Sequence, residues 1–242
     1  MAVVDSPLQP DRAQHLRVVI AGAMVVLLLK VLFSIVWEYR FYFPANFDSA
    51  FLGGRRYTFV GTYRAAFYMH IVSGPLAMLA GGFLIATSNF PRLRSGHRYV
   101  GRFQGMLVIG VLTPSGLIMA ANAYAGPVAA WGFALLSLGT ALACAQAIRY
   151  AVLMRMQLHR RWAIRCFILL CSPLLLRLMS GAVIVLGVES DLTYRLNAWM
   201  SWLVPIAIYE LSNRLAVVNR CNEHGTPRPR KADSPALRGR VS

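Results

Sequence analysis

Six long apolar runs, separated by short polar stretches, dominate the pattern of this chain. They fall at about Arg17–Trp37, Arg64–Ala86, Gly101–Ala123, Pro127–Leu153, Trp162–Val188 and Leu196–Val217. A helix crosses a bilayer with about 20 mostly apolar residues, so each run predicts one span. The expected fold is an all-α integral membrane bundle of six transmembrane helices. The first run is longer than a signal-peptide core and lacks a small-residue cleavage site, so it is expected to be retained. Three regions follow: a polar N-terminus over residues 1–16, a transmembrane domain over 17–218, and a basic, disordered tail over 219–242 rich in Pro227, Pro229 and Pro235.

Between the first two runs, residues 38–63 are crowded with aromatics, including Tyr39, Phe41, Tyr42, Phe43, Phe47, Phe51, Tyr57, Phe59 and Tyr63. Rings with a polar edge favour the headgroup level. This segment is expected on the outer face as an anchoring belt, with a lid over a cavity as the less favoured alternative, and with a short helix after Pro44.

Composition supports the same class. The chain is 57% hydrophobic and 14% charged, whereas a soluble domain carries roughly a quarter charged residues. The net charge of +16 would suggest nucleic acid in a soluble protein. Here the basic residues sit beside apolar runs and no nucleic-acid motif is present, so anionic phospholipid headgroups are the expected partners. Arginine and lysine also set a direction. With the N-terminus inside, 18 of the 25 fall on inner segments and five on outer ones, Arg40, Arg55, Arg56, Arg64 and Arg195. That imbalance predicts both termini in the cytoplasm. The four cysteines form no CxxC pair and are expected to pack as small apolar residues.

Ionisable residues at membrane depth are costly and mark candidate sites. In the outer half these are Lys30, His70 and Arg177. His70 shares a face with Ser73, Ala77 and Gly81, small residues that let helices approach closely, so it is expected to point into the bundle. Arg177 is expected near the middle of the fifth span, beside Pro173, Ser180 and Gly181, with no acid at its depth. Thr113, Pro114, Ser115 and Gly116 add polarity nearby. Together they predict a polar outer pocket, with His70 and Arg177 as candidate ligand-binding residues. In the inner half Glu210 is the buried acid, with Arg214 at i+4 as the expected salt-bridge partner or the inner histidines as an alternative.

Two inner basic motifs repeat one arrangement. Ser95-Gly96-His97-Arg98-Tyr99-Val100-Gly101-Arg102 enters span three, and His159-Arg160-Arg161-Trp162-Ala163-Ile164-Arg165 enters span five. Both place His-Arg just before the expected helix start. Arg98, Arg102, Arg160, Arg161 and Arg165 are candidates for lipid headgroups at helix N-termini. His97 and His159 are candidate cofactor or metal ligands, haem included, or interfacial anchors.

His70 and the two histidine entries, HRxxGR and HRRWxxR, resemble an uncharacterised family of bacterial membrane proteins, a domain of unknown function. The resemblance covers about residues 64–185. It implies a helical bundle in a bacterial inner membrane and no particular reaction. No GxSxG, HExxH or acidic metal cluster points to a hydrolase. Three functional classes remain. The first is a non-catalytic subunit or assembly factor of a larger membrane complex. The second is a haem-, metal- or quinone-binding redox protein using the histidines, and the third is a small-molecule transporter.

Overall fold

The computed structural model describes residues 12–49 and 51–225, and they form eight α-helices. Helix α1 spans Arg12–Glu38, and a 3-10 turn over Tyr39–Phe41 leads into an irregular aromatic segment. Helix α2 spans Gly61–Thr87. A second 3-10 turn at Pro91–Leu93 enters α3 (Arg94–Leu107), which continues through a π turn at Val108–Leu112 into α4 (Thr113–Ala121). Then follow α5 (Pro127–Val152), α6 (Met156–Leu170), α7 (Ser172–Val185) and α8 (Asp191–Gly225). Two ends can be named by their side chains. The aromatic end carries residues 39–63, and the basic end carries His97, His159 and their arginines.

Prolines explain where the helices depart from regularity. Pro114 has no N–H to give the carbonyl one turn back, and the chain answers with the π turn, where Thr113 Oγ1 donates to the Val108 carbonyl at 2.8 Å. Pro173 acts likewise on the last turn of α6. The expected fifth span is therefore two helices meeting at Cys171. Both histidine entries also begin earlier than expected. His97 is the fourth residue of α3 and His159 the fourth of α6, so these histidines sit within first turns rather than ahead of them.

Five helical stretches among the described residues are long and apolar enough to cross a membrane: Val18–Phe41, Gly61–Thr87, Pro91–Ala121, Pro127–Val152 and Met156–Val185. The expected sixth, Leu196–Val217, lies within α8. That helix is 35 residues long, but Arg195, Asn197, Glu210, Asn213 and Arg214 dilute its apolarity, and it is not one of the five. It nonetheless packs on the bundle. Gly132 of α5 lies so close to α8 that an added Cβ would come within 3.2 Å of the Ala198 carbonyl. Trp199 Nε1 donates to the Val128 carbonyl at 3.0 Å, and Ser172 Oγ to Ser201 Oγ at 3.2 Å.

Two apolar clusters hold the helices together. One joins α2, the π turn, α5 and α6 through Ala77, Val108, Ala143, Cys144, Cys166, Leu169 and Leu170. Small residues on facing helices bring backbones close, which is how packing alone can associate helices in lipid. The other lies at the aromatic end and comprises Tyr42, Leu52, Phe59, Tyr63 and Phe67. These rings turn inward over the bundle while Phe43 and Tyr57 of the same segment stay exposed, and the described residues from 45 to 60 form no helix, so the short helix expected after Pro44 is absent there. Helix α1 stands apart, its side chains largely exposed, touching the body through α7 and its own following turn.

The segments flanking the bundle also shift. Residues 12–16 belong to α1 and 219–225 to α8, so the expected polar N-terminus and disordered tail are in part helical. The remainder of each, residues 1–11 and 226–242, lies outside the described residues.

Candidate functional site

A cavity of about 300 Å³ occupies the aromatic half of the bundle. Its walls come from seven of the helices and the aromatic segment, with α1 closing one side through Leu32 and Ile35. Most of the lining is apolar or aromatic, including Tyr39, Tyr42, Phe51, Phe67, Met78, Leu112 and Leu174. The polar contributions are few: His70, Thr113, Ser137, Thr140, Ser172, Arg55 and Arg177, with the phenols of Tyr39, Tyr42, Tyr63 and Tyr194. Ligand pockets typically combine an apolar wall with a small number of placed polar groups, at volumes from about 300 Å³ upward.

His70 enters the cavity wall from α2. Its Nδ1 lies 3.3 Å from Ser115 Oγ. The single proton of Ser115 already goes to the Val111 carbonyl at 2.7 Å, so the imidazole Nδ1–H donates to Ser115. In the neutral ring this assignment leaves the Nε2 lone pair as an acceptor. Gly116 makes room for the ring. A Cβ there would meet Ser137 Oγ at 2.6 Å and His70 Cε1 at 3.2 Å. His70 of α2 and Ser137 of α5 thus meet over a glycine of α4, an arrangement no single helix encodes.

Arg177 has an acid partner after all. Its Nη2 lies 3.2 Å from Glu38 Oε2 at the end of α1, with both side chains partly exposed. The sequence placed Arg177 mid-span without an acid at its depth. The break at Cys171 makes it a residue of α7, and the packing of α1 on α7 supplies Glu38. Neighbouring Tyr42 is buried, and burial pushes its phenol above the ordinary value, with Glu38 adding to the rise and Arg177 opposing it. Arg55 Nη1 donates to Tyr63 Oη at 2.9 Å and to the Asn122 carbonyl at 3.1 Å, tying the aromatic segment to α2 and to the end of α4. Lys30 is exposed on α1, away from the cavity lining.

At the basic end, His97 and His159 come together, with ring centroids 6.4 Å apart and planes at 71°. Arg98, Arg102, Arg160 and Arg161 remain exposed. Ser95, Arg98, Tyr99 and Arg102 surround a separate surface pocket of about 190 Å³. Arg165 turns away from this surface. Its Nε and Nη2 donate to the two oxygens of Glu210 at 2.6 and 3.0 Å, and its guanidinium stacks 4.5 Å from the Trp162 ring centre. Glu210 therefore pairs with α6, neither with Arg214 in its own helix nor with the histidines.

Residues 67–212 match the family described as "Predicted membrane protein (DUF2306)". The chain belongs to that family. This family match runs beyond the sequence-level resemblance to take in the first two thirds of α8, with Glu210. It covers His70, His97, His159, Arg165 and Arg177, while Glu38 and the aromatic segment lie before it. No curated protein and no solved structure matches the chain. As a member of this family the protein is a membrane protein of unknown function with several apolar helices. Sequence reasoning missed Glu38, Tyr39, Arg55 and Ser137 as parts of one site. Each lies on an element whose neighbours are set only by packing.

Proposed function

We propose that this membrane protein binds a lipid-phase small molecule of the quinone class in the cavity between α1, α2, α4, α5 and α7. The carrying observation is the cavity itself, apolar and aromatic in its walls, with His70 and Ser137 at one part of the lining and Arg177 at another. A quinone ring presents oxygens at opposite edges on an apolar body. Arg177 and Ser137 offer donors to such oxygens, and His70 Nε2 offers an acceptor to the reduced, hydroxyl form. Aromatic side chains suit a flat ring. A non-catalytic accessory subunit needs no such chamber, so the binding reading is the more specific one.

The test is titration of full-length protein in nanodiscs with a decyl-tailed benzoquinone, read by intrinsic fluorescence quenching. Saturable one-to-one binding is expected. Arg177→Met and His70→Leu should each weaken it about tenfold or more, the scale of one or two lost hydrogen bonds. Arg98→Ala at the far end should leave it unchanged. Non-saturable quenching, or equal affinity in folded His70→Leu, sinks the reading. Mass spectrometry of the lipids retained by the same samples tests the exposed arginines. Arg98→Ala/Arg102→Ala should retain less anionic phospholipid than the unaltered protein.

We further propose that α8 is a sixth span and that both termini face the bacterial cytoplasm. The distribution of arginine and lysine supports that orientation. Alkaline phosphatase fused after Ser190 should then be active, and fused after Gly225 inactive. The reverse pattern, or equal activity of the two fusions, would refute it.

A further inference from the structure

We propose that His97 and His159 form a two-imidazole site for a single metal centre ligated in trans, either haem iron or monovalent copper. The site lies at the basic end and does not rest on the cavity reading.

The first support is the state of the two rings. His159 Nδ1 lies 2.8 Å from the Ala147 carbonyl. A carbonyl only accepts, so Nδ1 carries the proton. His97 Nδ1 lies 3.3 Å from Thr87 Oγ1. The Thr87 proton is already given to the Phe83 carbonyl at 2.7 Å, so here too Nδ1 donates. In their neutral forms both rings keep the Nε2 lone pair free. Metal-binding histidines characteristically donate their other N–H to an oxygen, which fixes tautomer and ring orientation. Two neighbouring histidines on different helices share this arrangement.

The second support is their separation. With metal–nitrogen bonds of about 2.0 Å, ring centroids stand roughly 6.3 Å apart for two imidazoles in trans and roughly 5 Å apart at two corners of a tetrahedron. The observed 6.4 Å matches the first of these separations, and trans ligation further requires the two Nε2 atoms to face one another. The angle of 71° between ring planes is no obstacle, because rotation about a trans axis leaves both bonds intact. The third support is composition. No group of three or more His, Cys, Asp or Glu able to hold a metal occurs among the described residues. A closed tetrahedral zinc site would require such a group. Two protein ligands suffice where a porphyrin supplies the other four, or where a soft monovalent ion accepts two. Arg98 and Arg160, each directly following its histidine, disfavour a bare dication and suit the propionates of haem.

The experiment uses full-length protein in detergent, with haemin titrated and followed by the Soret band. In parallel, cuprous ion is titrated against bicinchoninate. One probe is expected to bind one-to-one. His97→Gln and His159→Gln should each weaken that binding at least a hundredfold. His70→Leu should leave it unaffected, which separates this site from the cavity. Thr87→Val keeps both ligands and removes only the partner of His97 Nδ1–H. It should weaken binding by about tenfold to a hundredfold, and it serves if a glutamine variant fails to fold. Uptake of neither probe by the folded protein overturns the proposal. So does binding that persists in folded His97→Gln and His159→Gln, or, where a glutamine variant does not fold, in Thr87→Val at full affinity.

Discussion

Phe67→Ala is expected to lower stability by about 3–5 kcal/mol, the usual cost of emptying a large aromatic site in a packed core. Phe67 is 1% exposed and is the hub of the aromatic end. Its ring centre lies 5.3 Å from Tyr42, 5.3 Å from Phe51, 5.2 Å from Phe59 and 5.4 Å from Tyr68. Most of these contacts are edge-to-face, the arrangement that the ring quadrupole favours. The residues around it span two elements, so the cluster cannot close the gap by moving one helix. Because Phe67 also lines the cavity, its loss should enlarge the chamber and detach the aromatic segment from α2. Thermal unfolding in nanodiscs measures the first effect. Limited proteolysis within residues 42–59 measures the second. Phe67→Leu should recover part of the stability. Wild-type melting and wild-type proteolysis in Phe67→Ala would show that the segment is held by other contacts.

Glu210→Ala is expected to cost about 2 kcal/mol. The Arg165–Glu210 pair is bidentate, and charge-assisted bonds of that geometry are the strong ones. Removing one partner of a fully buried pair costs about 3–5 kcal/mol, whereas an exposed pair contributes about 0–1 kcal/mol. Here the side chains retain 23% and 34% of their exposure, which places the cost between those limits. Arg165 also loses the group that orients it over Trp162. Since the pair joins α6 to α8, the weakened contact should show as faster hydrogen exchange in α8. Arg165→Ala should match Glu210→Ala, and the double variant should cost less than the sum of the two. Additivity in that cycle would mean the two groups act separately.

Much of the fold was legible because membrane spans are written in continuous apolar runs. The helical ends at Thr87, Ala121, Val152 and Val185 lie within a few residues of the expected ones. The departures came from backbone chemistry. Pro114 opened a π turn and Pro173 split a helix, and a hydropathy pattern does not distinguish a bent span from a broken one. The site was legible only in part. His70 stood out as an ionisable residue among small ones, yet nothing in its own helix announced Ser115 or Ser137. Arg177 was recognised while its partner was not, since Glu38 lies at the end of a helix far away in sequence. Glu210 showed the opposite error. The local i+4 rule pointed to Arg214, and a better-placed arginine on α6 took the carboxylate.

The sequence by itself determined that this chain is a helical membrane protein. Bilayer insertion acts on each segment's own apolarity and length, so these properties can be read residue by residue. Only the tertiary structure decided that six helices and a folded-in aromatic segment enclose a cavity with α1 across one side. It alone decided that Arg177 meets Glu38, that Arg165 meets Glu210, and that His97 and His159 lie side by side. Those outcomes depend on interhelical packing, in which small residues and proline breaks set distances between elements remote in the chain, and no local pattern carries that information.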